Sequence, residues 1–172
     1  MMGCEDAFLI IGGLEDHFGR TPGPHAPPGM PFWKNRPGQG PEGSTVEREN
    51  KARVFVVEDE EYIRELYKDV FEAAGMTVFS ASSGDEAINI FKTLPSKPDI
   101  VVMDHRMPGK DGIQTTKELL ELDPSVPIIF SSADISVRER ALEAGAVSFW
   151  EKPFPCSLLV NAMLDIVRAK KA

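Results

Sequence analysis

With 172 residues, 42% of them hydrophobic, the chain has enough apolar material for one folded domain and an appendage. Its formal charge of -8 argues against a nucleic-acid surface, which would show clustered Lys and Arg. No apolar run approaches the roughly 18 residues that cross a bilayer, and Ala7-Phe8-Leu9-Ile10-Ile11 follows Glu5 and Asp6, not the basic segment that opens a signal peptide.

Residues 1–50 differ in kind from the rest. Thr21-Pro22-Gly23-Pro24, Pro27-Pro28-Gly29 and Arg36-Pro37-Gly38-Gln39-Gly40-Pro41-Glu42-Gly43 are too rich in Pro and Gly to hold a helix or a central strand. They also offer little apolar surface to offset the entropy of ordering. A disordered extension is expected. Pro24-His25-Ala26-Pro27 and Pro28-Gly29-Met30-Pro31 fit PxxP, but such matches arise easily in Pro-rich tails. Docking of Phe8 to Leu14 on the folded part, and a start assigned too far upstream, are the competing readings. Cys4 and Cys156 stand outside any CxxC pattern and read as reduced thiols of a cytoplasmic protein.

The segment 51–172 alternates regularly. Arg53 to Val57 reads as a strand, and Glu60 to Ala74 as a helix striped by Ile63, Leu66, Tyr67, Val70, Phe71 and Ala74, with Gly75 as its stop. Thr77 to Ser80 is a second strand. Ser82 or Ser83 starts a helix to Leu94, with Asp85 and Glu86 where the helix dipole favours acids. Ile100 to Met103 is the third strand, followed by a helix from about Ile113 to Leu122. Ile128-Ile129-Phe130 is the fourth, followed by a helix carrying Val137, Ala141 and Ala144 and stopping at Gly145. Val147 to Trp150 is the fifth, and a last helix from Ser157 to about Lys170 buries Leu158, Leu159, Ala162, Met163 and Ile166. Five short apolar strands alternating with five helices predict right-handed crossovers and a doubly wound parallel sheet, an α/β fold.

A polar residue closes most of these strands: Glu58 and Asp59 the first, Asp104 the third, Ser132 the fourth and Lys152 the fifth. The carboxyl ends of parallel strands face one crevice, where ligands bind. Two carboxylates about 4 Å apart repel by about 4 kcal/mol at an effective dielectric near 20. Three gathered acids therefore call for a cation or for raised pKa values. Hard oxygen ligands with open water positions suit Mg²⁺, with Asp59 and Asp104 as direct ligands and Glu58 holding a metal-bound water. Taken alone, Glu58-Asp59-Glu60-Glu61 reads as a solvated start to a helix. Asp104 changes that balance, because Met107-Pro108-Gly109-Lys110-Asp111-Gly112 separates it from the next helix and leaves it facing ligand. Asp104 is the candidate nucleophile, taking a phosphoryl group as an acyl phosphate. Ser132 and Lys152 stand where phosphoryl oxygens need a donor and a compact positive charge.

From about Arg53 to Ala169 the chain resembles the receiver domain of two-component response regulators. Val56-Val57-Glu58-Asp59, Asp104-His105-Arg106-Met107-Pro108, Asp111-Gly112, Ser132-Ala133, Gly145-Ala146 and Lys152-Pro153-Phe154 carry the resemblance, in order and at helix-and-strand spacing. It implies a flavodoxin-like sheet of strand order 2-1-3-4-5 and phosphorylation of Asp104 by a histidine kinase, a phosphorelay protein or a small phosphodonor. It also implies Mg²⁺ held by Asp59, Asp104 and the backbone carbonyl of Arg106, and a cis Lys152-Pro153 bond. Phe149 matches the aromatic that turns inward on activation. The family often has Tyr at that place, commonly Thr at Ser132 and frequently Met at Lys110.

Two flanking positions, Arg106 and Asp134, lie two residues after Asp104 and Ser132, where opposite charges could pair across the site and set the phosphoryl lifetime. The switch is expected to pull Ser132 inward and let Phe149 rotate from solvent into the space vacated beneath strand four. That remodels a partner surface from roughly Val137 to Leu159. About twenty residues follow Lys152, room for one helix. Output is therefore expected through a downstream protein, homodimerisation or relay to a histidine protein, with no nucleic acid and no membrane. His17, His25 and His105 lack a kinase-like setting. The protein is expected to catalyse only its own phosphorylation and dephosphorylation. A phosphorylation-independent interaction module is the alternative. An aspartyl-phosphate hydrolase is a weaker one, since it needs a second Asp where Arg106 stands.

Overall fold

A computed structural model describes residues 51–172. The Pro/Gly-rich segment 1–50, with Cys4, His17, His25 and the Phe8 to Leu14 run, lies outside the described residues. Among these residues five strands and five helices alternate: β1 Arg53–Val57, α1 Glu61–Ala73, β2 Thr77–Ala81, α2 Gly84–Thr93, β3 Ile100–Asp104, α3 Gly112–Leu122, β4 Ile128–Ser132, α4 Arg138–Glu143, β5 Ser148–Glu151 and α5 Cys156–Lys171. All strand pairs are parallel, in the order β2-β1-β3-β4-β5, as the resemblance implied. No described helix is long and apolar enough to cross a membrane.

The period of two along each strand sorts the apolar residues onto two faces. Val54, Val56, Ile100, Val102 and Ile129 pack with Tyr67 and Phe71 of α1 and Leu159 and Met163 of α5. Phe55, Val57, Val101, Met103, Ile128 and Phe130 pack with Ala87 and Phe91 of α2, Leu119 of α3 and Ala141 of α4. With both faces covered, the central strands are apolar at successive positions, which is why they read as continuous runs.

Local departures from the expected elements have identifiable causes. β3 and β4 run on to Asp104 and Ser132, because the ladder continues past the apolar residues, pairing Asp104 with Ser131 and Ser132 with Glu151. The fourth helix is short: Asp134 accepts a hydrogen bond from the Ser136 N–H, and a 3₁₀ turn Ile135–Val137 precedes α4. Leu66, Ala74 and Leu158, expected in buried stripes, face outward. Tyr67, Phe71, Leu159, Met163 and Val167 already fill the arc of α1 and α5 that meets the sheet. α1 does stop at Gly75, whose φ of 84° lets the Met76 N–H reach the Phe71 carbonyl at 3.0 Å.

Candidate functional site

The sheet order puts β1, β3 and β4 side by side, so their carboxyl ends open on one crevice. Glu58 follows β1 directly and stays buried at 3% exposure, its N–H donating to the Ala81 carbonyl of β2 at 3.1 Å. Asp59, one residue on, is more open. Asp104 ends β3 at 7% exposure. The carboxylates of Glu58, Asp59 and Asp104 bring oxygens within 4.8 Å of one another.

Lys152 reaches this cluster from the far side. Its N–H donates to the Ser132 carbonyl at 3.0 Å, seating the residue at the end of β4, and the Lys152-Pro153 bond is cis. Its ammonium lies 2.7 Å from Glu58 Oε2 and 2.6 Å from Asp104 Oδ1. Burial works against that charge, but the Asp104 and Glu58 carboxylates outweigh it and hold the Lys152 pKa well above its ordinary value. Glu58 goes up from the carboxyl range, chiefly through burial, with the Lys152 hydrogen bond opposing. The other Asp104 oxygen, Oδ2, accepts the Arg106 N–H at 2.7 Å, which folds the following loop back over the carboxylate.

That loop is held close. The Gly112 N–H donates to the His105 carbonyl at 3.0 Å, and a Cβ on Gly112 would lie 2.0 Å from the Asp104 carbonyl oxygen. Only glycine lets α3 begin against the backbone of Asp104. Asp111 caps α3 by accepting the Gln114 N–H at 2.8 Å. Lys110 has a structural explanation: its ammonium lies 3.1 Å from Asp85 Oδ1 on α2 and 2.7 Å from Glu118 Oε1 on α3, tying the loop to both helices.

The remaining candidates lie around this centre. The Ser132 hydroxyl accepts the Asp134 N–H at 3.0 Å. Arg106 Nη2 and Asp134 Oδ2 are 3.1 Å apart. The Ser136 hydroxyl and then the Arg106 guanidinium hold the Asp134 carboxyl below its ordinary range. Phe149 stands apart from the acids, and it does not start from solvent as expected. It is half-buried and stacked on Phe130 with ring centroids 6.1 Å apart, because β5 turns it toward the face that α2, α3 and α4 cover. Sequence reasoning missed Arg64, whose Nη1 donates to the backbone carbonyls of Glu58 at 2.9 Å and Asp59 at 3.1 Å. Carbonyl acceptors leave no mark in a sequence, so no pattern could have found it.

The family profile described as the response regulator receiver domain matches residues 54–164. The chain belongs to this family. Among curated relatives, the chemotaxis protein CheY of Thermotoga maritima is 40% identical over 114 residues, covering 64% of this chain and 93% of that protein. Nodulation protein W of Bradyrhizobium diazoefficiens is 35% identical over 125 residues, 72% of this chain and 54% of the relative, so the chain spans about half the length of that protein. The response regulator TrrA of Thermotoga maritima, solved in complex with Mg²⁺-BeF, is 28% identical, with a TM-score of 0.61 over 67% of this chain and 98% of that one. The receiver domain of a two-component response regulator is thus the functional unit, and the cluster described above sits at the carboxyl edge of its sheet.

Proposed function

We propose that Asp104 accepts a phosphoryl group, in a Mg²⁺-dependent transfer, from a histidine kinase, a phosphotransfer protein or a small phosphodonor. The observation that carries this reading is the convergence of three carboxylates and one ammonium, from three distant points of the chain, on one strand-end crevice. The donor set fits a hard cation: carboxylate oxygens within 4.8 Å of one another, with no sulfur or imidazole among them. Asp59, Asp104 and the Arg106 backbone carbonyl would hold the ion, and Glu58 a water bound to it. When bound, Mg²⁺ supplies neutralising charge to the acids and to the transferring phosphoryl group. The Mg²⁺-BeF complex of the TrrA relative supports the same choice of cation.

In the transfer an Asp104 carboxylate oxygen attacks phosphorus. The bond from phosphorus to the donor histidine nitrogen breaks, and its electron pair stays on the imidazole. The product is an acyl phosphate. Lys152 keeps its charge, since its pKa is raised, and its N–H groups can turn to the phosphoryl oxygens. Ser132 accepts a hydrogen bond from Asp134 and still has its own O–H to donate.

Moving a two-state equilibrium from 1:99 to 99:1 takes about 5.5 kcal/mol. A hydrogen bond to a charged group is worth roughly 1.5–3 kcal/mol, so Ser132, Lys152 and a backbone N–H must act together. Phe149, already half-buried against Phe130, is the reporter of that change. The face from residue 137 to 159 is the surface offered to a downstream protein or to a second copy.

The reading is tested on Asp59→Ala. With acetyl phosphate as donor, the variant should lose both Mg²⁺ affinity and labelling. Normal labelling at low Mg²⁺ would reduce the cluster to a solvated acidic face.

A further inference from the structure

The acids of the site stand on a joint with little holding it. Glu58 and Asp59 lie between the end of β1 and the start of α1, and α1 opens at Glu60 without any side-chain cap. A helix normally satisfies its first N–H groups with a Ser, Thr, Asp or Asn side chain, which also fixes the entering chain. In this joint the tie runs in the other direction. Arg64 reaches back from the first turn of α1, and a single nitrogen, Nη1, donates to the Glu58 carbonyl at 2.9 Å and to the Asp59 carbonyl at 3.1 Å.

Arg64 forms no close ion pair among the described residues, and its charge reaches Glu86 only as the weakest of the influences on that carboxylate. Among the described residues no carboxylate lies within ion-pair distance of its guanidinium. Its Nη1 is spent on the two peptide groups that carry the acids. Glu58 is also pinned at its N–H by the Ala81 carbonyl. The Asp59 carbonyl has Arg64 as its partner, so the peptide that follows Asp59 depends on this bond. A carboxylate is aimed by its backbone, and a peptide free to rotate carries its side chain away from the common point.

We infer that Arg64 is a positioning residue for the acidic cluster, clamping the carbonyls of Glu58 and Asp59 so that both carboxylates converge with Asp104. The inference rests on the proposed binding of Mg²⁺ at this cluster. It differs from a purely electrostatic role in sign. A guanidinium acting only as a charge repels a divalent cation, so its removal would tighten Mg²⁺ binding. A clamp acts in the opposite sense, and its removal weakens binding.

The experiment is calorimetric titration of the full chain with MgCl₂ alone, on wild type, Arg64→Met, Arg64→Lys and Lys68→Met. Methionine keeps the apolar stem without donors. Arg64→Met should weaken Mg²⁺ binding by roughly tenfold or more, the range typical when a group that orients a metal's ligands is removed. Lysine keeps donors on a flexible stem without the planar fork, so Arg64→Lys should fall between Arg64→Met and wild type. Lys68→Met removes an exposed charge from the same helix and should leave affinity at the wild-type value. Should Arg64→Met fold poorly, Arg64→Lys alone decides, through a measurable loss of affinity at an unchanged melting temperature. Binding by the Arg64 variants as tight as wild type, or tighter, overturns the clamp. A wild-type chain that does not bind Mg²⁺ overturns the underlying reading and the clamp with it, and is distinct from matched affinities.

Discussion

Asp104 is surrounded by groups that use both of its oxygens: Lys152 on Oδ1 and the Arg106 N–H on Oδ2. The same Arg106 sends its side chain outward to Asp134, an ion pair at 3.1 Å with the guanidinium mostly exposed. One residue therefore touches Asp104 through its backbone and pairs with Asp134 through its side chain, which we propose screens the crevice. Arg106→Ala keeps the backbone contact and removes the screen. We expect it to shorten the half-life of the acyl phosphate while leaving the yield nearly unchanged. The change should be no more than about fivefold, the rate equivalent of a weak exposed pair. Following the decay of labelled protein after removal of donor checks this, and equal half-lives would reject it. At this scale Glu58, Asp59, Asp104, Ser132 and Lys152 were legible, because a polar residue closing an apolar run needs no tertiary information to be noticed. Arg64 and Gly112 were not. One acts on backbone carbonyls and the other through the absence of a Cβ beside Asp104, and neither contact follows from residue type or spacing.

The strands and helices that aim these residues depend on ties at the opposite edge of the sheet. Asp99 precedes β3 and receives the Arg53 backbone N–H at 2.8 Å, while its Oδ1 lies 3.2 Å from Arg53 Nη2. Burial pushes the Asp99 carboxyl up, but the Arg53 side chain and backbone outweigh it and hold the pKa below its ordinary value. A carboxyl depressed in the folded state contributes stability that is complete above its unfolded pKa, about 3.9, and is lost as pH falls through the lower folded value. Asp99→Asn should therefore melt below wild type at pH 7, by a difference worth about 1 kcal/mol given that Arg53 is partly exposed. The gap should narrow as pH falls below about 4. A gap that stays constant from about pH 7 to about pH 3 would contradict this assignment. The alternation of strands and helices was readable because each apolar run is short and bounded by turn residues. The ends of β3 and β4 were not, since ladder hydrogen bonds carry both strands past their last apolar residue. Nor was the shortening of α4, which follows from the Asp134 turn. Phe149 was misplaced for a related reason: its half-burial depends on Phe130 from a neighbouring strand, not on its own run.

For the whole molecule, the receiver domain brings together residues 46 to 94 positions apart, from Asp104 to Lys152 being 48 and from Glu58 to Lys152 being 94. A doubly wound sheet does this without strain, because every strand points the same way and each crossover returns the chain to the same edge. The chain spans 93% of the Thermotoga chemotaxis protein and about half of nodulation protein W, so the receiver domain is shared while the rest of the chain differs among relatives. The signal proposed to pass through this domain is a phosphoryl group on one carboxylate. The most direct measurement is the intact mass of the full chain after incubation with acetyl phosphate and MgCl₂, for wild type and Asp104→Asn. One added phosphoryl group is expected on wild type and none on the variant; the same phosphoryl yield on Asp104→Asn would contradict Asp104 as the acceptor.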